Sequence, residues 1–228
     1  MSSKKYVKNL NGIGFLVFKN DFIIIIIIMY IIFDTETTGL IPKDGSNNYY
    51  SYKHTKKYEN TRMIQISYEI LDKNLNIITA KNFYINEVSI INNSVFHNIT
   101  VDMLQNEGIK MNTFVEIFKE DLKKCSTIIA HNLQFDYCII MSELYRFGFN
   151  DIIDKINSMK LLCSMKKTKH FVCKNCKYPK LLELYNYANS LELKELPNAH
   201  NSMYDVIYLR MALIKLKTNN IFDIFMCE

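Results

Sequence analysis

Residues 22–40, FIIIIIIMYIIFDTETTGL, decide the fold. The apolar run from Phe22 to Phe33 covers about a dozen residues, whereas a helix crossing a bilayer needs roughly 20. Isoleucine is β-branched and suits a pleated surface, and the run ends in acids that a hydrocarbon core would reject. The stretch therefore reads as a buried central strand and not as a membrane span. Asp34 and Glu36 stand two apart at its end, so both carboxylates leave on the same side of the sheet. Side by side they repel, which is costly unless cations sit between them. Gly39 follows in Thr37-Thr38-Gly39-Leu40, where a residue without Cβ lets the backbone turn sharply or approach a substrate closely.

Upstream, residues 1–21 are polar and basic with short apolar patches, and read as an N-terminal extension with no clear element. Downstream, residues 41–60 form a polar loop carrying tyrosines and lysines. TRMIQISYEIL from Thr61 and NIITAKNFYI from Asn76 read as neighbouring strands. Thr113 with Glu116 has the spacing of a capping box, predicting a helix from there to about Lys124. STIIAH reads as a short buried strand, and apolar residues at helical spacing predict a helix from Leu133 to Phe147. Pro179 suits the first turn of a helix through Tyr187. A last helix from near Asn201 would bury Val206, Leu209, Leu213 and Leu216. Strand hairpins first, then alternating helix and strand, predict one mixed α/β sheet covered by helices.

A chain of 228 residues suits one well-buried domain of this kind. Its net charge of +5 is a mild pull toward a polyanionic partner. Cys125, Cys138, Cys163, Cys173, Cys176 and Cys227 are scattered behind no credible signal peptide. They read as reduced thiols of an intracellular protein, which argues against a disulfide-built secreted module.

The acids point to phosphodiester chemistry. Phosphodiesters are cut by paired divalent ions, and hard ions such as Mg²⁺ need several oxygen ligands converging on one place. Asp136, in AHNLQFD, supplies a third carboxylate at a strand-to-helix passage. Asp205 supplies a fourth early in the last helix, five residues after His200. A histidine beside such a site suits a general base, because its ordinary pKa of about 6.5 lies close to working pH.

FDTETTGL, HNLQFD and HNSMYD, in that order, resemble the three exonuclease motifs of the DEDDh, or DnaQ-like, 3′–5′ exonucleases. That family includes the proofreading epsilon subunit of bacterial DNA polymerase III. The resemblance runs over roughly residues 29 to 217, and FHNIT at 96–100 is similar to the family's segment between its first two motifs. The sister subfamily has a tyrosine four residues before the last aspartate. Here that position is Asn201 and His200 fills the histidine place, which indicates the DEDDh branch.

The resemblance implies an RNase H-like fold over residues 22–228, a mixed sheet flanked by helices. It implies hydrolysis from 3′ ends, single-stranded or frayed, with release of nucleoside monophosphates. Two ions, Mg²⁺ or Mn²⁺, are implied: Asp34, Glu36 and Asp205 would hold one, Asp34 would help hold the second, and Asp136 would act largely through metal-bound water. Thr37 and Leu40 would meet the terminal nucleotide, with His97, His131, Asn132 and Phe135 as further contacts.

Several readings stay open in the sequence. DNA is the expected substrate, with RNA trimming as the rival, because that choice rests on the surroundings of the 2′-OH and not on the acids. A nuclease-silent nucleic-acid-binding or polymerase-accessory protein would have lost one of the metal acids, and none is lost. Little chain follows the last expected helix, so no extended polymerase-docking tail is expected; a polymerase or homodimer partner is left open. Lys155–Leu182 carries eight lysines and no acid, reading either as a phosphate-tracking surface or as a solvated face. Cys173 and Cys176 make half a zinc site at most, and ordinary thiols are expected. Tyr49, Tyr50, Tyr52 and Tyr58 suit base stacking or, as the expected reading, a mobile surface loop.

Overall fold

The computed structural model describes residues 6–10, 13–17, 23–27, 29–91, 97–173 and 177–225, the first three stretches as backbone alone. Strands β1 (Tyr6–Leu10), β2 (Ile13–Val17) and β3 (Ile23–Ile27) pair antiparallel in that order, in a sheet of their own. The main sheet is built from β4 (Met29–Thr37), β5 (Met63–Leu71), β6 (Ile77–Tyr84), β7 (Cys125–Ala130) and β8 (Lys160–Cys163). Its order is β6-β5-β4-β7-β8. β4 is central, antiparallel to β5 and parallel to β7. Seven described helices accompany it: α1 (Val101–Glu107), α2 (Met111–Leu122), α3 (Leu133–Arg146), α4 (Asn150–Asn157), α5 (Ser164–Val172), α6 (Leu181–Asn189) and α7 (Ser202–Thr218). This is the RNase H-like mixed sheet flanked by helices that the motifs imply.

Strand periodicity assigns the two faces. Ile31 and Phe33 join a core with residues of α2, α3 and α4, while Ile32 joins a second core with α6 and α7. Asp34 and Glu36 follow Ile32 in alternation and so stand on the α7 side. Val206, Leu209, Leu213 and Leu216 are buried along α7, as their spacing predicts.

The isoleucine run is not the single strand that its composition suggests. It divides into β3 and β4, because β7 begins and β5 ends level with the start of β4: Met29 pairs with Cys125, and Tyr30 with Leu71. Among the described residues upstream, Ile23–Ile27 pair with nothing in the main sheet and satisfy their N–H and C=O groups against β2. Residues 6–17, read as lacking a clear element, therefore include two strands.

Two helix starts also differ. α2 begins at Met111, not Thr113, because its first N–H is met from a distance: Glu87 Oε1 accepts from Met111 N at 2.8 Å. α6 begins at Leu181, and Pro179 stays outside it, where its carbonyl accepts from His131.

The 41–60 loop is packed where a mobile surface loop was expected. Tyr58 is wholly buried and its hydroxyl donates to the Tyr50 carbonyl at 2.5 Å. Tyr52 meets Tyr137 and Tyr145 edge-on. The bidentate Arg62–Glu143 pair, at 2.6 and 2.9 Å, holds the loop's end against α3. No described helix is long and apolar enough to cross a membrane. The described cysteines, Cys125, Cys138, Cys163 and Cys173, are free thiols. Cys176 and Phe96 lie outside the described residues.

Candidate active site

Carboxylates converge at the C-terminal end of β4. Oxygens of Asp34, Glu36 and Asp205 lie within 4.8 Å of one another. β4 contributes the first two on one face; the first turn of α7 lowers Asp205 onto that face. The Asn201 side chain caps α7 by accepting from Met203 N at 3.1 Å, which sets where the helix starts. Asp136 arrives from α3, almost fully buried, and its Oδ1 accepts from both Thr35 N at 3.0 Å and Thr35 Oγ1 at 2.8 Å. Thr35, between the two acidic positions, thereby ties the fourth carboxylate to the same strand. Among the described residues Asp136 stands outside the three-acid group.

Burial raises every one of these acids, and neighbouring carboxylates raise Asp34, Glu36 and Asp136 further. Asp34 is held well above the carboxylate range by burial first, then by Asp136, Asp205 and Glu36. Glu36 is pushed up to about 9 by burial and by Asp205 and Asp136. Asp136 and Asp205 are each raised to about 7 by burial, against the pull of the Thr35 bonds in one case and of the His200 backbone N–H in the other. Such a cluster is unfavourable by itself and becomes favourable around a divalent cation. Its donors are all oxygen, with no thiolate or imidazole in the group, which fits a hard ion such as Mg²⁺ or Mn²⁺.

The other expected contacts divide. His200 is exposed and sits in left-handed backbone, φ 64°, just ahead of α7. His97 is near enough that His200 helps lower it, after burial. Its Nδ1 accepts from Ile99 N at 3.0 Å, so Nε2 carries the proton; that atom is buried near the Thr37 carbonyl without the alignment of a hydrogen bond. Leu40 projects into solvent, 85% exposed, a large apolar side chain shortly after Glu36 in the chain. Thr37 is buried and donates to the Gly39 carbonyl at 2.7 Å. Asn132 caps α3 in left-handed backbone, and Phe135, one turn away, packs against Tyr49.

His131 is not brought into the site. Burial pushes it down to about 4, so the ring is neutral. Nε2–H donates to the Pro179 carbonyl and Nδ1 accepts from Ser164 Oγ, both at 2.9 Å, leaving no ring nitrogen for a substrate. It joins the end of β7 to α5 and to the segment before α6.

Behind the acids lies a buried polar row that period-2 reading would assign to solvent. Asp34 is paired with Ser67 and Glu36 with Gln65, and Ser67 in turn with Asn82. Gln65 Oε1 accepts from Ser202 N at 3.3 Å, and Gln65 Nε2 donates to Asn82 Oδ1 at 2.9 Å. Ser67 Oγ donates to the same Asn82 oxygen at 2.9 Å and receives the Ser202 hydroxyl at 2.7 Å. Further along, Arg210 pairs with buried Glu69 at 2.6 Å. These contacts fix α7, and with it Asp205, against the strand beside Asp34 and Glu36. Replacing Gln65 with Met strands the Ser202 N–H, at a cost of about 1–3 kcal/mol. The variant is expected to melt lower and to need more Mg²⁺ for half-maximal hydrolysis. Melting and metal titration check this; a lower melt with an unchanged metal requirement would make the row structural only.

A mixed sheet with acids gathered at the end of its central strand defines a carboxylate-dependent nuclease of RNase H-like fold. The chain belongs to the RNase T exonuclease family, which matches residues 31–211 and is DnaQ-like. Solved structures agree in fold. Exonuclease I of E. coli in complex with a dA16 oligonucleotide is similar with a TM-score of 0.61 and 17% identity, over 84% of this chain and 41% of that one. Exonuclease I from Methylocaldum szegediense gives a TM-score of 0.59 at 17% identity, over 84% of this chain and 40% of that one. The chain thus spans less than half the length of these structures. No curated protein sequence matches it.

Proposed function

We propose that this chain hydrolyses single-stranded or frayed DNA from the 3′ end, releasing nucleoside monophosphates. The observation that carries this is the convergence of Asp34, Glu36 and Asp205 within 4.8 Å, with Asp136 behind them. Asp34, Glu36 and Asp205 would hold one divalent ion, Mg²⁺ or Mn²⁺, and Asp34 would help hold a second. Bound there, the ions supply charge neutralisation and water activation. His200, facing solvent beside Asp205, takes the proton of the attacking water. The exposed Leu40 side chain and the backbone around Thr37 seat the terminal base and sugar, and the His97 Nε2–H is a donor still to be used. DNA is supported by solved relatives that carry dA16 and dT13 oligonucleotides.

Digestion of oligonucleotides labelled at either end, DNA and RNA, with Mg²⁺, Mn²⁺ or EDTA tests the reading. A 3′ label is expected to leave at once as a mononucleotide while a 5′ label yields a descending ladder, and EDTA stops both. Internal cutting or metal-independent turnover would overturn it, and faster loss of RNA would replace DNA as substrate.

The catalytic unit on this reading excludes the first residues. The family match begins at residue 31, and among the described residues β1–β3 pair only with one another. A chain starting at Met29 is expected to keep turnover and to melt somewhat lower. An inactive product, soluble and folded by circular dichroism, would make residues 1–28 part of the working site.

A further inference from the structure

Openings that border the chain just after Glu36, at Thr38, and just before Asp136, at Asn132, differ in charge. One, of about 310 Å³, is bordered by Glu59 and Glu87 as well as Arg62. Toward α5 lie two others, of about 280 and 340 Å³, which both border Gln134 and Lys166 and are together called the trough. No acid lines either part. Lys43 and Lys166 stand over it, both exposed, with Tyr49 and Tyr178 as aromatic walls. Tyr178 is 52% exposed, with Lys169 Nζ 4.8 Å from its ring centre. Tyr49 meets Phe135 edge-on, its ring centre 6.3 Å away, and Lys43 Nζ lies 5.8 Å from its ring. Asn132 borders the trough and caps α3, and Asp136 follows it by about one helical turn, roughly 5.4 Å.

We propose that this trough is a binding site for the single strand behind the scissile nucleotide, with phosphates running past Lys43 and Lys166 and bases lying on Tyr178 and Tyr49. The inference rests on the exonuclease reading for its direction but not for its chemistry. A strand reaching the acids must leave along one side. The first opening carries Glu87 and an Arg146-paired Glu59, whereas the trough offers lysines, which attract phosphates, with no carboxylate in its lining. Bases reach an aromatic face only when unpaired, so the occupant is single-stranded, and stacking makes the site indifferent to sequence. The Tyr49 ring, already packed against Phe135, loses little freedom on binding. His131 contributes indirectly, since its two hydrogen bonds hold Ser164 of α5 and Pro179, the residue after Tyr178, at the end of β7.

The test separates the two readings. Binding of 5′-fluorescein-labelled dT12 is followed by anisotropy in EDTA, where no hydrolysis occurs, and turnover of thymidine 5′-p-nitrophenyl phosphate is measured separately in Mg²⁺. Lys43→Gln with Lys166→Gln is expected to weaken dT12 binding about tenfold or more. It should flatten the slope of log affinity against log salt by about 0.7 per lysine removed. Tyr178→Ala is expected to weaken it by about five- to a hundredfold without changing that slope. All three side chains are exposed, and unchanged melting confirms intact folding. Wild-type affinity and salt slope in both variants would overturn the trough. Failure of the wild type to cleave the ester would overturn the catalytic reading and leave the binding result standing.

Discussion

Asp205→Asn is expected to abolish hydrolysis in Mg²⁺ while raising the melting temperature of the metal-free protein. Asp34→Ala and Glu36→Ala should lose turnover equally. Removing one oxygen from a group of three within 4.8 Å takes away a ligand that no neighbour replaces. Support for the attacking water and the leaving oxygen is then lost, a fall of roughly 10³-fold or more, toward the level in EDTA. The stability change has the opposite sign because the carboxyls repel. Their folded-state pKa values lie above the unfolded ones, so between pH of about 4 and the raised values the folded chain binds more protons than the unfolded chain. Metal-free stability therefore falls as pH rises through that window, up to about 7 for Asp136 and Asp205 and about 9 for Glu36. Neutralising Asp205 removes its own titration and relieves Asp34, Glu36 and Asp136. Each ~1 kcal/mol relieved raises the melting temperature by about 2–4 °C in a chain of this size. Mg²⁺ should stabilise the wild type most at the alkaline end and the variant little. Scanning calorimetry across pH, with and without Mg²⁺, reads all three effects. Near-normal turnover, or a metal-free melt that drops, would remove these acids from the centre.

His200→Ala is expected to slow hydrolysis by roughly 10²–10⁴-fold while leaving metal binding intact. The histidine is not one of the three converging ligands, and it lies outside the helix that carries Asp205. Its left-handed backbone turns the chain sharply before Asn201, which keeps the ring free while the same residue's N–H serves Asp205. The Mg²⁺-induced rise in melting temperature should therefore persist in the variant. If the metal-induced rise disappears instead, His200 supports the ion and another group takes the proton.

The chemistry was legible because it is local. Asp34 and Glu36 two apart on a strand are readable from side-chain periodicity, as are the buried stripe of α7 and the alternation of helix and strand. Asp136 and Asp205 were singled out by the resemblance of their short motifs to the family's. The exposed Leu40 and the buried His97 were named from motif resemblance alone, and their surroundings became visible only with the fold.

What the sequence by itself determined was the mixed sheet and the placing of Asp34 and Glu36 on one face of a strand, because these depend on residue type and spacing; the family was legible through the resemblance of three motifs. Tertiary structure alone decided where the isoleucine run divides, since a strand persists only while neighbours can take its hydrogen bonds, and β5 and β7 are level with Met29 and Tyr30. It decided that α2 starts at Met111, on a carboxylate 24 residues away, and that Tyr58 is core and not a free platform. It also decided that Gln65, Ser67 and Glu69, polar at every second position, face α7 and not water. Period-2 alternation separates two faces of a strand, but only the packing of a second element shows which face is buried and whether its polar groups find partners there.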